Sequence, residues 1–248
     1  MDPLPPPSDW VPASLAAAAR PPAGEVHLWR IDLQAGDAGA DRTLLSPAEQ
    51  VRADRFLDPE GRRRHVRGRA VLRRLLGQCL GADPRTLDLA EGAHGKPFLT
   101  GTGDLHFNLS HSGETALIAL AVGVAVGIDV EAGERKVAAN GVAARWFTPE
   151  EQAAWQAEGQ SPAAFFRLWT RKEAVMKAHG GGLAAGMDRF SVAAPLPGSR
   201  VLWPPAVRWE GTPYAVIDLA PGGGAVGALA VAGARTLQGL KLRALVER

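Results

Sequence analysis

The sequence predicts an α+β protein built from two similar halves. Hydrophobic residues make up 46% of the 248 residues, enough to form a proper core. Segments with the alternation typical of strands stand beside segments with helix-start signals. The same order of signals recurs about a hundred residues later, which indicates two related halves.

The halves are expected at 25–126 and 127–248. The preceding residues 1–24 contain seven prolines and an alanine run, so we expect either a poorly ordered leader or a strap on the surface. Folded structure is expected to begin at 25–33, where alternation predicts a half-buried strand.

Two helices follow in the first half. Ser46, Pro47 and Glu49 predict a capped helix start with a capping box. A second helix is expected from Arg63 to Leu76, ending at Gly77.

The same pattern returns in the second half. Phe147-Thr148-Pro149-Glu150-Glu151 repeats the capped start after 102 residues, and the helix that Ser161-Pro162 opens is expected to end at Gly180. Strands are expected after the long helix of each half, at 106–110, 115–122, 213–219 and 225–231. Coincidence among common helix-start residues is the alternative to duplication. Two halves would place a cleft at their interface, a usual position for a ligand site.

Composition excludes several protein classes. No apolar run reaches the roughly 20 residues of a membrane helix, and the opening lacks a basic stretch followed by a sustained apolar one. The single Cys79 excludes an intramolecular disulfide and multi-cysteine metal sites, and it is expected to be inert packing. These features predict a soluble, cytoplasmic protein.

Residues 51–74 form a basic segment, with nine arginines against three acidic residues. Such a segment could bind nucleic acid, a phosphorylated cofactor or an acidic protein, or be a solvated helix face. Nucleic acid is the weaker choice, because only 6% of residues are aromatic and no base-stacking motif occurs. Arg63 and Arg67 are expected to be exposed.

Asp129 and Glu131 end an apolar strand at 126–131. Their i, i+2 spacing puts both carboxylates on one strand face, where they could bind a hard cation such as Mg²⁺. An ordinary polar strand end is the alternative.

Trp169, Glu173 and Lys177 follow one another at i, i+4 steps in a helix. An aromatic, an acid and a base therefore share one face. The alternative is a surface ion pair with a tryptophan packed nearby.

A third cluster contains Gly95-Lys96-Pro97 and the segment 106–113, with hydroxyls, an amide and two histidines. These groups could meet phosphate or a nucleotide. Ser110 and His111 project to opposite strand faces, which argues against a serine hydrolase.

Together these motifs resemble the Sfp-type 4′-phosphopantetheinyl transferases. The resemblance extends from about residue 25 to 248. Four blocks occur in that family's order and rough spacing: Gly95-Lys96-Pro97, Phe107-Asn108-Leu109-Ser110-His111-Ser112, Gly127-Ile128-Asp129-Val130-Glu131, and Trp169-Thr170-Arg171-Lys172-Glu173-Ala174 with Lys177.

The resemblance implies a pseudodimer of two α+β halves with the active site at their interface. It implies Mg²⁺-dependent transfer of phosphopantetheine from coenzyme A (CoA) to a serine of an acyl, peptidyl or aryl carrier protein, releasing adenosine 3′,5′-bisphosphate. Fatty-acid, polyketide or nonribosomal-peptide synthesis would be served. A monomer without nucleic-acid or membrane partners is expected.

The resemblance also implies residue roles. Asp129, Glu131 and Glu173 look like the Mg²⁺ ligands, Lys177 like the pyrophosphate contact and Glu173 like a candidate base. The expected contacts to adenosine and the 3′-phosphate are Lys96, Ser110, His111 and Arg52.

Glu49 lies where a second basic residue can occur in relatives. The arginines of 62–74 could compensate or attract an acidic carrier protein. A non-catalytic module that binds CoA or a carrier protein is the alternative on the same fold.

Overall fold

The computed structural model describes residues 8–92, 94–101, 103–133, 137–182, 186–193, 207–233, 237 and 239–247. No helix within these ranges is long and apolar enough to cross a membrane. The elements before residue 125 are β1 (Val11–Ala13), β2 (Glu25–Asp32), α1 (Ala38–Arg42), α2 (Pro47–Asp54), α3 (Pro59–Leu80), β3 (Leu89–Glu91), β4 (Pro97–Leu99), β5 (Leu105–Ser112) and β6 (Thr115–Val122).

The later elements repeat this order. They are β7 (Val126–Glu131), α4 (Ala139–Trp146), α5 (Pro149–Ala157), α6 (Pro162–His179), β8 (Val207–Trp209), β9 (Thr212–Gly222), β10 (Ala225–Ala232) and β11 (Gly239–Leu245).

Sheet topology supports the duplication. The first sheet has the order β1-β11-β2-β6-β5 and the second β7-β10-β9-β8. The segments β2-β6-β5 and β7-β10-β9 therefore have the same order, and their neighbouring strands are all antiparallel. The predicted α+β fold with two similar halves is confirmed, and the four strands predicted after the long helices correspond to β5, β6, β9 and β10.

The chain ends depart from the predicted division. β11 lies in the first sheet, parallel to both β2 and β1, because its apolar residues complete the core beside β2. The edge strand β1 corrects the expectation of a poorly ordered leader for residues 8–24; the strap is the alternative that fits. Residues 1–7 lie outside the described residues, and the boundary at 126–127 stays a prediction.

The predicted helix starts are present. Ser46 and Glu49 form a reciprocal capping box at α2, as Thr148 and Glu151 do at α5. α6 ends at Gly180 as predicted, with φ of 82°.

The predicted end of α3 is wrong. α3 starts earlier, after Asp58, and runs through Gly77 to Gly81, whose φ of 64° ends the helix. Gly77 instead allows the chain after α3 to fold back, because a β-carbon there would lie 2.8 Å from the carbonyl oxygen of Ala82.

Three apolar clusters order the molecule as helix, sheet, sheet, helix. The first sheet packs one face on α3, the second sheet packs one face on α6, and the sheets share a cluster that includes Leu28, Leu117, Ile128 and Ile217. β2 is consequently buried on both faces. The expectation of a half-buried strand is wrong because the sheet is covered on both sides.

Each half carries a buried ion pair at the same place. The capping-box residue Glu49 accepts from Arg73 of α3, and the capping-box residue Glu151 accepts from Lys172 of α6 at 2.7 and 2.8 Å. Each cation also donates to a backbone carbonyl in the loop after its helix, that of Leu87 or of Phe190. The pairs tie the short helix, the long helix and the following loop together.

The arginines of α3 are mostly engaged within the fold. Arg67 is buried between Asp41 and Glu247, so the expectation that it is exposed is wrong. Arg63 is three-quarters buried and pairs with Glu60 and Glu114. Much of the face opposite the apolar stripe is covered, because α1, the β5–β6 turn and the chain end place acidic side chains on it, whereas Arg62 remains exposed. Cys79 is buried, and burial raises the pKa of its thiol to about 11, as expected for inert packing.

We predict that Lys172→Met destabilises the protein by about 3–5 kcal/mol, because it leaves the buried Glu151 carboxylate without its cation. Arg52→Ala is the matched control. Arg52 pairs with Glu91 at the surface, where such a pair contributes less than about 1 kcal/mol. Urea unfolding of both variants measures the contrast, and equal small losses would contradict the structural role of the buried pair.

Candidate active site

The two halves meet where β5 runs alongside β7. Alternate residues of β5 face β7: Asn108 accepts from the Ile128 amide at 2.8 Å, Ser110 donates to Asp129 at 2.8 Å, and Ser112 donates to Glu131 at 2.9 Å. The period of two along a strand makes this regular contact possible. We call these three bonds the β5–β7 ladder.

The ladder confirms that Asp129 and Glu131 share one face of β7. Both carboxylates are about 95% buried, and each receives a hydroxyl from β5. This arrangement is more specific than an ordinary polar strand end, because a buried carboxylate needs donors directed at it.

Lys177 extends the contact to α6. Its ammonium lies 2.6 Å from Asp129 Oδ1 and 3.0 Å from Ser110 Oγ. Three residues predicted from separate motifs thus meet at the junction of the halves.

The face predicted on α6 is present. Trp169, Glu173 and Lys177 are each half-buried, whereas almost all other residues from 164 to 178 are buried. Trp169 stacks on Phe165 with the rings 7° from parallel. This stripe is therefore the part of α6 open to the cleft.

Gly127 allows α6 to approach β7. A β-carbon at residue 127 would overlap the backbone of Ala174 and Ala178 and lie 2.8 Å from the carbonyl carbon of Lys177. The absence of a side chain thus sets the distance between Lys177 and Asp129.

Burial dominates the electrostatics of Asp129. Desolvation raises the pKa of its carboxyl, while the Lys177 ammonium and the Ser110 hydroxyl oppose that rise. Asp129 Oδ2 has no hydrogen-bond partner although it is buried. An unpartnered buried carboxylate oxygen fits a cation ligand.

The donor chemistry of Asp129, Glu131 and Glu173 suits a hard cation, because all three offer carboxylate oxygens. Within the described ranges, however, no three His, Cys, Asp or Glu side chains are close enough together to hold a metal ion. Asp129 and Glu131 lie two residues apart on one face of β7, whereas Glu173 is a half-buried residue of α6, one turn before Lys177.

Lys96 is tied to the second half. Its ammonium donates to the carbonyls of Val126 and Ala178, at 3.1 and 3.2 Å, where β7 begins and α6 ends. Desolvation by burial lowers the pKa of Lys96 to about 8. Sequence reasoning predicted a ligand contact here and missed this link between the halves.

Arg52 is not part of the Asp129 contact, whereas His111 lies near it. Desolvation lowers the pKa of the His111 imidazole, the Lys177 ammonium lowers it further and the Glu131 carboxylate opposes that effect. His111 is exposed on β5, on the face opposite Ser110. Arg52 pairs with Glu91 at 2.5 Å on the surface. The structure thus brings together Ser110, Asp129 and Lys177 but not Arg52.

A groove of about 750 Å³ lies elsewhere, along β1 and β11. None of the predicted site residues lines it. The junction of the halves remains the candidate site because the buried charged groups converge there.

Comparisons with known proteins agree with this geometry. A family model described as "4'-phosphopantetheinyl transferase superfamily" matches residues 125–202, and one described as "4'-phosphopantetheinyl transferase, N-terminal" matches residues 38–122. The 4'-phosphopantetheinyl transferase HetI of Nostoc sp. is 36% identical over 220 residues, which cover 84% of this chain and 88% of the relative. The chain belongs to the 4′-phosphopantetheinyl transferase family.

Two further relatives are both from Bacillus subtilis. A 4'-phosphopantetheinyl transferase is 32% identical over 64% of this chain and 71% of the relative. The transferase Sfp is 29% identical over 60% of this chain and 66% of its own length. The chain is thus an enzyme of a family that modifies carrier proteins, and the resemblance inferred from the motifs is confirmed.

Sequence reasoning missed two further features of the transferase. Asn108 and Ser112 were grouped with possible phosphate contacts, whereas the structure shows them holding β7. Their alternate spacing on one strand was the available signal. The close approach at Gly127 left no signal in a single sequence.

We predict that Gly127→Ala separates α6 from β7, costing about 1–3 kcal/mol of stability through overpacking and lowering transferase activity. Gly141→Ala in α4 is the control, because a β-carbon there meets no atom within 4 Å. Thermal unfolding and activity assays compare the two variants. Wild-type behaviour of Gly127→Ala would show that the close approach is not required.

We also predict a pH dependence from Lys96. Above its folded pKa of about 8 and up to its ordinary value of 10.5, the unfolded state binds more protons than the folded state, so stability should rise with pH. A difference of one pKa unit corresponds to about 1.4 kcal/mol. Lys96→Met should lack this contribution, and urea unfolding at pH 7, 8.5 and 10 measures it; parallel curves for the two proteins would refute the prediction.

Proposed function

We propose that the transferase moves 4′-phosphopantetheine from CoA to a serine of an acyl, peptidyl or aryl carrier protein and releases adenosine 3′,5′-bisphosphate. The observation that carries the proposal is the contact of Lys177 with Asp129 and Ser110, which joins α6, β7 and β5 at the junction of the halves. A buried acidic face with an ammonium beside it suits a pyrophosphate accompanied by a cation.

Asp129, Glu131 and Glu173 are the residues that would hold Mg²⁺. Because the three carboxylates are not close enough together in the structure to hold a metal ion, this assignment requires Glu173 to approach the β7 carboxylates. The unpartnered Asp129 Oδ2 supports this role. When bound, Mg²⁺ would supply positive charge that stabilises the oxygens of the breaking phosphoanhydride.

The reaction forms one bond and breaks one. The carrier serine oxygen bonds to the phosphorus that bears pantetheine, and the phosphoanhydride bond to the adenosine side breaks. Lys177 would donate to the pyrophosphate oxygens as the leaving phosphate gains charge. The serine proton would pass to Glu173 or to a water that Glu173 orients.

Ser110, His111, Lys96 and Arg52 are proposed to contact the adenosine and 3′-phosphate groups of CoA. Two of these assignments require rearrangement. Lys96 would have to release the carbonyls of Val126 and Ala178, and Arg52 would have to leave Glu91.

A non-catalytic module that binds CoA or a carrier protein is the alternative within this fold. The retained acids on β7, together with Glu173 and Lys177, favour catalysis, because binding alone gives no evident reason for three metal-ligating acids. Carrier proteins of fatty-acid, polyketide or nonribosomal-peptide synthesis, a cytoplasmic location and a monomeric state complete the proposal.

To test the proposal, the transferase is incubated with a panel of apo-carrier proteins, CoA and Mg²⁺. The intact mass of each carrier protein is then measured by mass spectrometry. We expect one phosphopantetheine group on at least one carrier and no transfer with excess EDTA. Asp129→Asn should lower transfer at least about 100-fold, because it removes a charge from the site. Asp88→Asn, at an exposed acid that accepts from Thr100, should not.

Measurements of CoA binding distinguish the transferase from the non-catalytic binding module. Calorimetry should show that Asp129→Asn still binds CoA within about tenfold of the wild type. CoA binding by the wild type without any modified carrier would favour the non-catalytic module, and full activity of Asp129→Asn would refute the site assignment.

A further inference from the structure

The end of β5 is built to fix the Glu131 carboxylate. Ser112 Oγ donates to Glu131 Oε2 at 2.9 Å and accepts from the Ala132 amide at 3.0 Å. A serine hydroxyl has a single hydrogen to donate. Because the Ala132 amide occupies one side of the oxygen, that hydrogen is directed at the carboxylate.

The position of Ser112 is set from the opposite side by α3. Ser112 is the last residue of β5, and the tight turn to β6 passes through Gly113, with φ of 56°, and Glu114. Arg63 and Arg64 both pair with Glu114, at 2.9 and 3.4 Å. The turn is therefore anchored independently of β7.

We propose that Ser112 is a positioning residue that orients the Glu131 carboxylate for the cation, an inference that rests on the proposed function. Carboxylates that ligate metals are commonly oriented by hydrogen bonds from neighbouring groups, and removing such a group typically weakens metal affinity 10–100-fold. Ser112 is a cleaner probe than Ser110, because Ser110 also contacts Lys177. The anchored turn makes Ser112 a fixed reference for the carboxylate.

The test measures metal affinity directly, with Mn²⁺ as a paramagnetic probe titrated into the transferase with CoA and followed by electron paramagnetic resonance. Ser112→Ala should raise the Kd for Mn²⁺ about tenfold or more. In transfer assays it should raise the Mg²⁺ concentration for half-maximal rate by a similar factor, with kcat at saturating Mg²⁺ and KM for CoA within about threefold of the wild type.

Conservative variants separate orientation from folding. Ser112→Thr keeps a hydroxyl and should restore the Mn²⁺ affinity, whereas Ser112→Cys offers only a weak donor and should not. Both test the inference if Ser112→Ala does not fold. Thr100→Val is the matched control, because Thr100 donates to the exposed Asp88 at 2.7 Å outside the site.

Unchanged Mn²⁺ affinity in Ser112→Ala or Ser112→Cys would overturn the inference, as would a fall in kcat with unchanged half-maximal Mg²⁺. Either outcome would contradict only the role of Ser112, because the wild-type enzyme would still depend on a divalent cation. A wild type that neither binds Mn²⁺ nor needs a divalent cation would instead overturn the metal part of the proposed function together with this inference.

Discussion

The β5–β7 ladder is the interaction on which the site depends. β5 and β7 lie at the edges of two different sheets, and side chains rather than backbone hydrogen bonds join them. Because two of the joining groups are serine hydroxyls, each carboxylate at the end of β7 keeps a donor although it is buried. Lys177 reaches this junction only because Gly127 lets α6 lie close to β7.

Each half is stabilised by an equivalent buried ion pair. The buried capping-box glutamate fixes the start of a short helix and also binds a cation on the long helix, Arg73 in the first half and Lys172 in the second. Lys172 is adjacent to Glu173, so the ion pair that anchors α6 in the core leaves the next residue at the cleft. In the N-terminal half the equivalent ion pair lies on α3, away from the β7 carboxylates. This difference accords with two duplicated halves of which only the second carries the carboxylates of the site.

The basic segment has a structural explanation. Arg67 and Arg74 both pair with Asp41 and Glu247, which attaches the chain end to α3. Arg69 and Arg73 share Glu49. The excess of positive charge in residues 51–74 is thus largely neutralised in the folded protein, because the acidic partners come from distant segments. The charge count alone is a poor guide to the partner of this enzyme.

The sequence by itself determined the starts of α2, α5 and α6, most strands, the repeated order of signals and the family, because capping residues, alternation and contiguous motifs are local signals. It also placed Asp129 with Glu131, and Trp169, Glu173 and Lys177, on common faces, since those faces follow from helix and strand periodicity. The tertiary structure alone decided the burial of β2, the place of β11 in the first sheet and the pairing of Arg67. These depend on segments far apart in the chain, whose packing no local pattern records, and the same is true of the contact between Lys177 and Asp129.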